Sequence, residues 1–256
     1  MLFNNLQHYV IGGSGPPVVF IHGFGLDHRM WGSQMKFFSS EYTVIAPDLR
    51  GFGKSPPPSE MALAYHEDIA ELLDFLGIHQ PVVLVGHSMG ARAVANFALT
   101  YPKKTKAVVF VDGAIEGYKF NSFDLSDIYQ AGKSQGVEVA NQMWLDHPIF
   151  DSARKNPVVL QQLNDMVRSY TGWHFIHKAS FKNLPIPAFN QLEYIKSSAL
   201  IITGQYDLPD FRFIAQTLHQ KITGSVIKEI AGAGHMCNME KPEEFNALMS
   251  QFLISL

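Results

Sequence analysis

Short apolar runs rich in Val and Ile recur along the first half of the chain, bounded by Gly or Pro, over residues 18–21, 42–46, 82–85 and 107–111. Near-continuous apolar runs of this length suit strands buried on both faces, as in a mostly parallel sheet flanked by helices. Longer stretches with helical spacing lie between them. Ile69, Leu72, Leu73 and Leu76 share one face of a predicted helix ending at Gly77, and residues 91–99 predict another that stops before Pro102. The pattern resumes late, with strands over 199–203 and 225–230, a helix around 211–218 between them, and a final helix opened by Pro242 that runs to Leu256. Strands alternating with helices predict an α/β domain.

Between Gly117 and about Glu193 the alternation breaks down, leaving helical or irregular material studded with aromatic residues and no internal repeat. An insertion of that size between two strands reads as a helical cap over one edge of the sheet rather than as a structureless loop. The expected organisation is a core formed by residues 1–116 and 194–256, with a cap formed by 117–193. The cap aromatics serve either its own small core or a pocket wall. Trp144, His147, Trp173 and Phe175 are the candidate substrate contacts.

Composition narrows the function. With 256 residues, 46% apolar and 17% charged, the chain can bury one substantial core. A formal net charge of −3 gives no general attraction to nucleic acid or to an anionic membrane surface. The single cysteine, Cys237, forms no internal disulfide. Residues 1–13 carry neither a basic leader nor a long apolar stretch, and no apolar run reaches the ~20 residues of a membrane span. The expectation is a soluble cytoplasmic enzyme whose partner is a small-molecule substrate, with no nucleic acid and no membrane.

The strongest local signal is Gly86-His87-Ser88-Met89-Gly90, which follows an apolar strand and leads directly into a helix. A nucleophile elbow of the G-x-S-x-G type requires that strand, turn and helix. A serine in so sharp a turn leaves no room for side chains two residues to either side. A second element, His22-Gly23-Phe24-Gly25, follows the strand over 18–21, where half of an oxyanion hole is supplied. The amides of Phe24 and Met89 are the candidate donors to a developing negative oxygen. Ser88 is a poor nucleophile without a base, and His235 is the candidate, in the glycine-rich loop Gly232-Ala233-Gly234-His235 between the last strand and the last helix. The acid that orients it belongs at the end of an earlier strand. Asp207 and Asp112 both fit that description, with Asp207 favoured because it follows the strand immediately before the last one.

Two other motifs are weaker. His174 and His177 lie one helical turn apart but lack the further ligands of a metal site. Gly51-Phe52-Gly53-Lys54-Ser55 lacks the spacing of a P-loop, and a turn after a strand explains its glycines.

Taken as a set, these motifs resemble the α/β-hydrolase superfamily, and within it the small capped hydrolases related to 3-oxoadipate enol-lactonases and similar carboxylesterases. The resemblance spans nearly the whole chain and includes Asp48-Leu49-Arg50-Gly51-Phe52-Gly53-Lys54-Ser55 and Gly204-Gln205-Tyr206-Asp207. It implies a serine hydrolase acting on an ester or lactone through an acyl-enzyme on Ser88, with no metal and no organic cofactor. Relatives that form an aspartyl ester carry Asp where this chain has Ser88. A C–C bond hydrolase, a cofactor-free perhydrolase and a small-molecule receptor with a retained triad use the same residues and stay open.

Overall fold

The strands, in chain order, are β1 (Leu2–Phe3), β2 (Gln7–Gly12), β3 (Pro17–Ile21), β4 (Thr43–Pro47), β5 (Ala62–Leu63), β6 (Val82–His87), β7 (Thr105–Val111), β8 (Ser180–Phe181), β9 (Ser198–Gly204) and β10 (Val226–Ile230). They belong to a computed structural model that describes residues 2–3, 7–58, 62–177 and 180–256. Eight of them form one sheet in the order β1-β2-β4-β3-β6-β7-β9-β10, parallel from β4 to β10, with β1 and β2 running antiparallel at one edge. Every residue of β3 and β6 is buried, which is why these strands read as unbroken apolar runs. The strand β2, Gln-His-Tyr-Val-Ile-Gly, alternates buried and half-buried positions and gives no such run.

The helices are α1 (Gly32–Phe38), α2 (Tyr65–Phe75), α3 (Met89–Thr100), α4 (Ser126–Ser134), α5 (Val137–Leu145), α6 (Pro157–Ser169), α7 (Trp173–Ile176), α8 (Pro209–Lys221), α9 (Cys237–Glu240) and α10 (Pro242–Ile254). Five of them flank the sheet: α1 packs with α10, α2 with α3, and α8 lies against β9 and β10. In chain order α4 to α7 all fall between β7 and β9, and they pack largely on one another. Helix α6 shows how the sequence builds this group. Pro157 occupies the first turn, the Asn156 side chain caps the Val158 amide at 3.0 Å, and Val159, Leu163, Met166 and Val167 form one buried stripe. The parallel pairing of β5 with β8 ties the segment before α2 to the segment after α7. Among the described residues no helix is long and apolar enough to cross a membrane.

Candidate active site

Ser88 sits between the end of β6 and the start of α3 with φ 51° and ψ −116°, a conformation L side chains rarely adopt. Holding it there costs ~1–3 kcal/mol, which the surrounding structure must supply. The amide of Ser88 donates to the Val111 carbonyl at 2.9 Å, and its carbonyl accepts from Ala91 and Ala114 at 2.9 and 3.0 Å. The flanking glycines are required by contact: a Cβ on Gly86 would strike the Gly90 carbonyl, and one on Gly90 would strike the carbonyls of Ile21 and His22.

Gly23 packs against Ser88, since a Cβ at Gly23 would lie 3.3 Å from the Ser88 Cβ. The loop is fastened by His22, whose Nδ1 donates to the Gly23 carbonyl at 2.8 Å while its Nε2 accepts from the Leu49 amide at 2.9 Å. Burial lowers the His22 pKa and keeps the ring neutral. Among the described residues the amides of Phe24 and Met89 have no protein acceptor.

His235 stands in the loop after β10 and is 3% exposed. Its Nδ1 donates to Asp207 at 2.9 and 3.0 Å, and Asp207 also accepts from the Leu208 amide at 2.7 Å. Two groups that sequence reasoning left aside hold the imidazole in place. His87, the residue before Ser88, donates from Nε2 to the His235 carbonyl at 2.7 Å, and the two rings meet edge to face at 4.8 Å. Glu240, at the end of α9, accepts from the amides of Gly234 and Met236 on either side of His235. Burial lowers the His235 pKa to about 4, so the ring is neutral at pH 7. Neither Ser88 Oγ nor His235 Nε2 has a hydrogen-bond partner among the described residues, and such contacts commonly tighten only around a substrate.

Asp112 is next to the same pair. It follows β7 with φ 44°, is 1% exposed, and accepts the Gly204 amide at 2.8 Å through Oδ1. Burial raises the pKa of both carboxyls, that of Asp112 well above its ordinary range.

Above Ser88 and Met89 opens a cavity of about 540 Å³. Its aromatic wall includes Phe24, Phe120, Phe123, Trp144, Phe175 and Phe211. Of the four residues singled out from the sequence as candidate substrate contacts, Trp144 and Phe175 line this cavity. His147 and Trp173 do not line it: His147 caps the Ile149 amide behind Phe123 and Trp144, and Trp173 stacks on His177 at 4.8 Å. His174 does line it, stacked on Phe52 at 4.1 Å and held between two tyrosines. Tyr65 Oη donates to the Arg50 carbonyl at 3.2 Å, which leaves it to accept from His174 Nε2 at 3.0 Å, while Tyr170 Oη supplies the proton to Nδ1 at 2.8 Å. With both nitrogens engaged and its pKa lowered to about 3 by burial, His174 is a neutral wall residue.

Comparison with known proteins agrees with this architecture. The alpha/beta hydrolase family matches residues 18–248. The (E)-2-((N-methylformamido)methylene)succinate hydrolase of Acinetobacter baylyi is 28% identical, over 98% of this chain and 95% of its own. A thermophilic esterase from Thermogutta terrifontis superposes with a TM-score of 0.85 at 25% identity, over 97% of this chain and 93% of that one. The enol-lactonase of Burkholderia xenovorans superposes with a TM-score of 0.83 at 23% identity, over 97% and 96%, and so shares the fold.

Proposed function

This chain belongs to the α/β-hydrolase family, and from that premise we propose that it is a serine hydrolase that opens a small ester or lactone through an acyl-enzyme on Ser88. One observation carries the reading: the strained φ 51° turn presents Ser88 to an aromatic cavity, while the preceding residue, His87, bonds the carbonyl of His235, whose Nδ1 is bound by Asp207 at 2.9 Å. In the proposed reaction neutral His235 takes the Ser88 proton as Oγ attacks the carbonyl carbon. The amides of Phe24 and Met89 receive the oxyanion. Asp207 keeps the proton of His235 on Nδ1 and stabilises the imidazolium that forms. Collapse of the tetrahedral intermediate breaks the carbonyl–oxygen bond, and the imidazolium returns its proton to the leaving alkoxide. Water, deprotonated by the same imidazole, then releases the acid and restores Ser88. In this reading residues 117–193 act as a cap whose helices supply part of the cavity wall. Esterase and hydrolase activities named for the relatives are consistent with it.

The test is labelling with a fluorophosphonate followed by peptide mapping. One equivalent should attach to Ser88, and Ser88→Ala should lose both the label and the hydrolysis of a 4-nitrophenyl ester. Full turnover by purified Ser88→Ala would overturn the reading.

A further inference from the structure

The loop that carries His235 is fastened to a part of the chain that no sequence motif connects with it. Glu240 accepts from the amides of Gly234 and Met236 and so grips the backbone on both sides of the imidazole. The same carboxylate accepts a further hydrogen bond, from Ser152 Oγ at 2.5 Å. An O–H donor to a carboxylate at that separation makes one of the stronger hydrogen bonds in a protein. The contact is steric as well. A Cβ on Gly234 would lie 2.6 Å from the Ser152 Cβ, so the serine rests directly against the histidine loop. Ser152 belongs to the segment between β7 and β9, 88 residues before Glu240 in the chain.

From its other side Ser152 is tied to the cavity. Arg154 donates from Nη1 to the carbonyls of Leu145 and His147 at 2.7 and 2.9 Å and pairs with Asp151, which binds residues 145–154 into one unit. Phe150, two residues before Ser152, is fully buried and meets Trp144 edge to face at 4.9 Å. Trp144 lines the cavity. Contacts therefore run unbroken from the cavity wall to the general base: Trp144, Phe150, Ser152, Glu240 and the two amides that flank His235. Contiguity alone does not couple two sites; a response at one end to a change at the other does. The open side of Trp144 supplies a cause for such a response. An acyl chain that packs there gives the ring a partner on its free face and restricts its motion into the cavity, which holds Phe150 and Ser152 against Glu240.

We infer that Ser152 is a positioning residue for His235, acting through Glu240, and that acyl groups long enough to pack on Trp144 tighten this contact and so gain in turnover as well as in binding. This rests on the ester-hydrolase reading above. Ser152 touches neither substrate nor reacting atoms in this scheme, and its effect falls on kcat.

The experiment measures kcat and KM for 4-nitrophenyl acetate and 4-nitrophenyl octanoate in the wild type, Ser152→Ala, Glu240→Ala and the double variant. Each kcat is taken per site titrated with fluorophosphonate, so that misfolded protein does not count. Ser152→Ala should lower kcat for the octanoate by about tenfold with KM within about twofold, and kcat for the acetate by no more than about threefold. Because the serine acts through the carboxylate, the double variant should be no slower than Glu240→Ala. Should Glu240→Ala not fold, Glu240→Gln takes its place. Loss of the serine should then cost less on the Gln background than on the native one, since a neutral amide holds the hydroxyl more weakly than a carboxylate. An unchanged kcat in Ser152→Ala, equal losses for the two esters, or losses that add in the double variant would overturn the inference. If turnover of both esters still depends on Ser88 in that case, the serine-hydrolase reading stands alone.

Discussion

Asp112 and Asp207 bring two buried carboxyl groups to one imidazole, with ligand atoms of Asp112, Asp207 and His235 all within 4.8 Å of one another. Two carboxylates so close and so dry cannot both ionise. Asp207 collects donors from His235 Nδ1 and the Leu208 amide, whereas Asp112 Oδ2 has none among the described residues. A bare buried carboxylate oxygen is costly, but a protonated one can donate to its neighbour. The proton therefore belongs on Asp112, whose pKa burial raises furthest, and the charge on Asp207.

That division separates the two acids by mutation. Asp207→Asn should lower kcat by orders of magnitude, up to ~10⁴ as in serine proteases, because Nδ1 loses the acceptor that fixes its tautomer. Asp112→Asn replaces one neutral group by another, and Asn tolerates φ 44°. It should keep kcat within a few-fold and act mainly on thermal stability. Steady-state kinetics with melting curves on both variants decide the matter, and the reverse pattern in folded protein would move the acid to Asp112.

The acid side of the pH profile follows from His235. The base must be neutral to accept the Ser88 proton, so kcat/KM is lost as pH falls through the free-enzyme pKa. Burial lowers that value to about 4, below the ordinary 6.5. Activity on a neutral ester should thus persist through pH 5.5 and decline only toward about 4. An acid limb near 6.5 would mean that the Asp207 charge outweighs burial of the ring.

Much of this was legible in the chain because buried parallel strands and elbows leave local signatures. The runs over 18–21 and 82–85 became β3 and β6, and Gly86 and Gly90 are glycines because backbone carbonyls occupy the space a Cβ would need. The strand β2 and the helix α1 had no such signature, one half-exposed at the sheet edge and the other only seven residues long. Side-chain direction in the segment from α4 to α7 was the least legible. Trp144 and Trp173 are both buried tryptophans, yet only the first faces the cavity, since that choice depends on how four helices pack. Glu240 and His87 act on the backbone of the His235 loop, a role that residue type does not announce.

The same contrast yields a test of the cavity. Phe123→Ala, in the wall, should shift the preferred acyl chain to greater length, because an apolar pocket weighs each methylene at ~1–3 kcal/mol. Trp173→Phe, outside the wall, should leave the order of a C2 to C10 ester series intact. An unchanged order in Phe123→Ala would remove the acyl chain from this cavity.

Acid stability draws on a second buried carboxylate, that of Asp48, directly after β4. Its carboxylate is fully buried and accepts from His8 Nδ1 at 2.8 Å, His28 Nδ1 at 2.7 Å, and the amides of His28 and Lys54 at 2.8 and 2.9 Å. Burial alone would raise its pKa, but the His28 hydrogen bond, the neighbouring histidines and the Lys54 amide outweigh it and hold the value at about 2. A folded value below the ordinary 3.8 means that the ionised form stabilises the protein. The contribution, about 2 kcal/mol, is complete above 3.8 and disappears as pH falls from there through about 2. Asp48→Asn should therefore lower Tm at pH 7 by roughly 5–10 °C, since it also leaves an amide nitrogen facing donors. Melting curves of the two proteins should converge as the pH is taken from 4 down to 2.5, where the wild-type carboxylate begins to take up a proton. A gap in Tm that stays constant over that range would show that Asp48 stabilises the loop by its shape alone and not by its charge.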